Sequence, residues 1–155
     1  MKTTLLLLFA WLAISPKADA QLRRQQGTGH AEGGGARVNQ TTNIINDCER
    51  RTNDFKKTLD RALGKPGVRL GERENQLNRD ASQLEDAMDR VGDSWNRDHN
   101  MDKTRGNVRV AVGYASDINR TVRQTSFYGD VGSQWAAVLT EINRLASTFG
   151  LPRVR

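Results

Sequence analysis

One cysteine, two histidines and three prolines are scattered through 155 residues. A lone thiol cannot close an intramolecular disulfide, and it cannot supply a cysteine-based zinc site. Aromatic residues make up only 6% of the chain, which leaves little material for stacking platforms on single-stranded nucleic acid. Charge is not of one sign: Lys+Arg number 24 against 18 Asp+Glu, a net charge of +6. The longest uncharged apolar run, Leu5 to Ile14, falls well short of the ~20 residues that cross a bilayer. With 36% hydrophobic and 27% charged residues, the chain is too apolar and too mixed in charge for wholesale disorder. Its length fits one domain plus peripheral segments.

That apolar run is preceded by Lys2 and ended by Pro16, and Ala18-Asp19-Ala20 is a small-x-small cleavage pattern. Residues 1–20 therefore read as a secretory signal peptide cut before Gln21; the competing reading is an uncleaved anchor. No cysteine sits at the cut to carry a lipid. Export to the bacterial periplasm or the extracellular space is the expected destination. The next segment, 21–38, holds Gly27, Gly29, Gly33, Gly34 and Gly35 among Arg23, Arg24, His30 and Arg37. It offers too little apolar surface to offset the entropy of ordering it, so a flexible basic arm is expected there. Gly27-Thr28-Gly29 lacks the strand, helix start and lysine of a phosphate loop.

From Asn39 the pattern becomes helical. Ile44, Cys48, Phe55, Leu59 and Ala62 recur at helical spacing, with a weak turn at Arg51 and Thr52. Three cleaner stripes follow: Leu77, Ala81, Leu84, Met88, Val91, Trp95; then Val108, Ala111, Ala115, Ile118, Val122, Thr125; then Val131, Trp135, Val138, Ile142, Leu145, Phe149. Alternating steps of 3 and 4 put one apolar ridge on each helix, and no stretch alternates with period two. Gly64-Lys65-Pro66-Gly67 forbids continuation of the first helix. Glu72 and Glu74 suit the first turn of the second. Residues 96–102 read as the next connection, with Asp102 or Thr104 as cap, and Asp130 as cap of the fourth helix. Gly150 suits a left-handed closing residue, with Leu151 folding back and Pro152 ending the helix. Gly106 and Gly113 oppose the third helix.

Short connections force neighbouring helices antiparallel, so residues 39–152 are expected to form an all-α, antiparallel up-down-up-down four-helix bundle, with 153–155 as a basic C-terminal end. Residues 71–98 carry eight acids and four bases, whereas 103–127 carry five bases and one acid; opposite charge favours this pairing of neighbours. The alternative is a pair of helical hairpins that closes only by dimerising.

Candidate chemistries are few. Asp98-His99-Asn100-Met101-Asp102 resembles the start of a calcium loop, but Lys103 and Arg109 stand where the turn glycine and bidentate glutamate belong. No Glu-x-x-His occurs for a di-metal bundle site, and Glu85, Asp86, Asp89 and Asp93 lie off the apolar stripe as a solvated face. Ser94 near His99 lacks an oxyanion hole, and no G-x-S-x-G is present. No catalytic, cofactor or metal site is expected. Cys48, on a stripe, is either a buried small hydrophobe or the source of an intermolecular disulfide. Phe127-Tyr128 beside Arg123 is one small stacking candidate, too little for specific nucleic-acid binding. Asn39-Gln40-Thr41 and Asn119-Arg120-Thr121 fit the glycosylation sequon.

Two surfaces stand out as interaction candidates. The third helix is basic through Arg105, Arg109, Arg120 and Arg123, a charge that docks on anionic surfaces. The fourth carries Ala136, Leu139 and Ala146 beside its stripe. This wider apolar arc is either a contact surface for a second copy or partner, or is covered by the folded-back Leu151-Pro152 end and the arm.

Two segments carry a resemblance. Arg73-Glu74-Asn75-Gln76-Leu77-Asn78-Arg79 runs into Leu84-Glu85-Asp86-Ala87, and Trp135 is followed by Ile142-Asn143-Arg144-Leu145-Ala146 and Phe149-Gly150-Leu151-Pro152. Together, over roughly residues 44–152, they resemble a group of uncharacterised bacterial secreted proteins with helical mature domains. The matching residues are core and capping positions, so the resemblance implies a shared fold and no activity. The expected function is that of an exported, non-enzymatic bundle acting through its surface on itself, on a protein partner or on an anionic envelope component. A periplasmic chaperone-like protein holding unfolded clients is the alternative, and an enzyme the third.

Overall fold

A computed structural model describes the backbone of residues 18–155 and the side chains of residues 34–155. The expected leader, 1–20, lies outside the described residues except for its last three, which open the first helix. The order is α1 (Ala18–Leu63), α2 (Glu72–Asp98), α3 (Met101–Val122) and α4 (Tyr128–Thr148). The chain divides at Ala36: the bundle is Arg37–Arg155, and the residues before it form a separate unit. Composition assigns 21–38 to a flexible arm; the α1 assignment begins at Ala18.

Each pair of neighbouring helices is antiparallel, and specific contacts show it. Thr42, early in the packed part of α1, meets Trp95, late in α2. Arg90 of α2 accepts through its carbonyl from Asn107 of α3, and Arg73 at the start of α2 reaches Gln124 just past α3. Asn119 of α3 meets Trp135 of α4, while Arg105 reaches Gly150 at the opposite end. Phe55 of α1 packs on Trp135 of α4 with ring centroids 5.1 Å apart, which closes the ring of four helices. The result is the all-α up-down-up-down four-helix bundle, and the stripe residues form its core. Two aromatic pairs tie helices together: Trp95 of α2 meets Phe149, just past α4, edge-on at 6.2 Å, and Phe55 meets Trp135.

Several local expectations are corrected. The connection between α2 and α3 is only His99 and Asn100, and Asn100, not Asp102 or Thr104, caps α3 by accepting from the Lys103 N–H at 3.0 Å. His99 takes the left-handed conformation, φ 50°, which reverses the chain in so short a space. Thr104 is buried instead. Asp130 does not cap α4; it lies in the first turn, still favoured by the dipole, and pairs with Lys65 at 2.8 Å. Gly106 and Gly113 sit on the exposed side of α3, where a continuous helix carries their entropic cost. Thr52, read as a weak turn, is fully buried and fills the gap between Cys48 and Phe55.

Candidate functional site

The site is built by residues 150–155, the basic end among them. Gly150, at φ 63°, turns the chain, and the Leu151 N–H closes α4 on the Ala146 carbonyl at 2.8 Å. The segment then runs back along the seam between α3 and α4. Val154 is buried against the core. Its backbone is gripped from both sides by the Asn143 amide: the Val154 N–H donates to Oδ1 at 2.7 Å, and Nδ2 donates to the Val154 carbonyl at 3.3 Å. Asn119, buried, donates Nδ2 to the main-chain oxygen of Arg155 at 2.6 Å. The Trp135 indole N–H donates to Asn119 Oδ1 at 3.0 Å and orients that amide. Arg153 donates to the Ser147 hydroxyl at 2.9 Å, and Arg105 to the Gly150 carbonyl at 3.1 Å.

Between this segment and α3 lies an open groove of about 370 Å³, lined by Arg109, Val112, Gly113, Ser116, Leu151, Pro152, Arg153 and Val154. A methyl group on Gly113 would meet nothing within 4 Å, so the missing side chain widens the groove floor. Arg109 and Arg153 line it, Arg105 is engaged with the Gly150 carbonyl one helical turn before Arg109, and among the described residues none of the three has a carboxylate within ion-pairing distance.

The basic face expected on α3 is therefore split. Arg109 lines the groove, and Arg105 is bonded to the Gly150 carbonyl. Arg120 is paired with Asp117 at 2.9 Å and lines a separate cleft with Glu72, Arg73 and Gln124. Arg123 is exposed just beyond α3. The apolar flank of α4 is not one surface: Ala136 is exposed, Leu139 is half-buried against the core, and Ala146 is fully buried. A wide apolar arc resulted because the returning segment covers one edge of it, which explains Ala146.

Other candidates resolve into structural roles. Phe127 is buried, so it offers no stacking face, and the Tyr128 ring lies over Gly132. Asp98 is held by Lys103 Nζ at 2.6 Å, and Ser94 bonds Thr104 at 3.2 Å, away from His99, whose ring meets the edge of Trp95. Asn119 of the second sequon is buried with its amide nitrogen engaged, which closes it to a glycan in the folded chain. Cys48 is fully buried. Burial, then the charges of Glu141, Asp47 and Glu49, push its thiol far up, so it behaves as a hydrophobe. Sequence reasoning missed Asn119 and Asn143 as anchors. Their signal was a polar residue next to a stripe position, Ile118 and Ile142, where it flanks the core.

Comparison with known proteins finds no matching family profile, no matching curated protein and no matching solved structure.

Proposed function

We propose that the chain is an exported, non-enzymatic helical-bundle protein that docks on an anionic envelope component through the groove between α3 and the returning segment. The observation that carries this reading is the pair Arg109 and Arg153, which among the described residues have no acidic partner and which line a groove with Val112, Leu151 and Pro152. A guanidinium is weakly hydrated and matches phosphate and carboxylate oxygens in a fork, so arginines free of carboxylates are poised for an outside anion. Val112 and Leu151 beside them suit the apolar stem of an amphiphile. The holding of unfolded clients would need contiguous apolar surface. The exposed large apolar side chains, Leu70, Met101, Val110 and Tyr128, are dispersed over a loop and two helices.

The test is co-sedimentation with phosphatidylglycerol vesicles and with neutral phosphatidylcholine vesicles. Retention is expected on the anionic vesicles at about 0.05 M salt and is expected to fall several-fold at about 0.5 M. Arg109→Glu with Arg153→Glu abolishes it, while Arg120→Glu, which disrupts only an exposed pair with Asp117, weakens it less. Retention that ignores salt, or that falls equally with Arg120→Glu, overturns the reading.

A further inference from the structure

We propose that the seam between α3 and α4 is a receptor for an extended peptide, held through its main chain by Asn119 and Asn143, and that Leu151–Arg155 is the occupant it carries in cis. This goes beyond the docking of anions and rests on Asn119 and Asn143, which lie outside the groove; the occupant is the segment that forms one wall of that groove. The seam grips its occupant mostly by backbone: both polar groups of Val154 meet one asparagine amide, and the Arg155 oxygen meets another. Such bonds do not depend on the occupant's side chains. The side chains that do enter the fold are Leu151, half-buried, and Val154, buried; Pro152 and Arg153 are exposed. The recognised pattern is thus apolar-x-x-apolar, with main-chain bonds to the two asparagines giving affinity and the sites of the Leu151 and Val154 side chains giving specificity.

The Asn119 half of the receptor is built independently of its occupant. Asn119 is oriented by the Trp135 indole, which belongs to the bundle core, and Asn143 is carried on the same helix as Trp135. The occupant is joined to the bundle through one turn residue, Gly150, in the left-handed conformation. A segment tethered so closely has an effective concentration on the order of millimolar, so it outcompetes a weak peptide offered from outside. A partner strand with the same apolar-x-x-apolar chemistry gains the seam when the cis segment is out of it.

The experiment follows the binding of a fluorescein-labelled peptide of residues 149–155 by fluorescence anisotropy. Val154→Asp releases the cis segment, and this full-length variant is expected to bind the peptide at least tenfold more tightly than wild type does. Asn143→Ala in that background is expected to weaken binding about tenfold or more, since two hydrogen bonds are lost. A peptide with Asp at the position of Val154 is expected not to bind. Absence of binding by Val154→Asp with a wild-type circular dichroism spectrum overturns the proposal, as does binding indifferent to Asn143→Ala. Concentration-dependent dimers without peptide uptake assign the seam to exchange between copies and overturn it too. Wild type supplies a check that needs no variant: the Val154 amide should exchange its hydrogen at least tenfold faster than the Leu145 amide in the core. Equal protection of the two identifies a fixed strap and removes the proposal.

Discussion

The Trp95 indole N–H donates to the Thr42 hydroxyl at 2.8 Å, and that hydroxyl donates in turn to the Val38 carbonyl at 2.9 Å. Trp95 is buried, so its N–H has no ready substitute for this partner. Thr42→Val keeps the shape and removes the acceptor. It leaves the indole unsatisfied and is expected to destabilise the bundle by about 1–3 kcal/mol. Thr42→Ser keeps the hydroxyl and should recover most of the loss. Urea unfolding midpoints of the two variants check this, and equal midpoints for both would sink it.

Thr52 lies on the same helix and carries the opposite expectation. Its side chain is fully buried, and its hydroxyl has no hydrogen-bond partner. Desolvating a hydroxyl without compensation is unfavourable, and valine fills the same volume with apolar atoms. Thr52→Val is expected to stabilise by about 1 kcal/mol, which for a domain of this size raises Tm by a few degrees. One chemical change at two threonines of α1 should therefore shift stability in opposite directions. A loss at Thr52 would show that the hydroxyl has a partner in solution.

Apolar ridges were legible in the sequence because their cause is local. A helix that buries one side must place its large apolar residues three and four apart, and each stripe residue from Ile44 to Phe149 is buried. Chain reversal at Gly150 was legible for the same reason, since a left-handed residue followed by an apolar one is a short-range signal. Thr52 was hidden because a polar side chain at a core position breaks the periodicity that identifies the core. The sequence leaves Ala146 between two readings, a contact surface or cover by the folded-back end, because what buries it comes from outside its own helix; it is fully buried. The groove had no local signature at all: Arg109 and Arg153 stand 44 residues apart in number, and only the return of the chain along α3 brings them together.

Glu49 of α1 directs its carboxylate at Gly92 of α2, into space that any side chain at 92 would take. Burial, followed by the charges of Asp89 and Asp93, raises its carboxyl above the ordinary value of 4.5. The folded protein therefore holds this proton to higher pH than the unfolded chain does. From about pH 4.5 upward through the raised folded value, the native state binds more protons, and this group's contribution to stability falls as pH rises. Glu49→Gln removes that dependence. Relative to wild type, the variant is expected to gain stability as pH rises through the window and to hold that gain at neutrality. The difference should shrink below pH 4.5. Because Glu49 is half exposed, solvent screens the effect and the gain is small. Urea midpoints at about pH 4 and pH 7 measure it. A variant that loses ground with rising pH would contradict the direction of the shift.

Gly113 couples the stability of α3 to the groove, and the two can be separated. It lies inside the helix on the exposed side, and a methyl group there meets nothing within 4 Å. Gly113→Ala is therefore expected to stabilise by about 0.5–1 kcal/mol through backbone entropy alone. Gly113→Leu retains most of that gain and fills the floor between Val112 and Leu151, where an anionic amphiphile would lay its apolar stem. Retention on phosphatidylglycerol vesicles should fall severalfold while Tm stays at or above the wild-type value. Gly106 provides the matched control: it is exposed on the same helix, equally open around its backbone, and outside the groove. Gly106→Leu should raise Tm comparably and leave retention unchanged. If both leucine variants lose retention to the same degree, the vesicles read the general surface of α3. If neither does, the arginines act as a bare charged face and the groove takes no part.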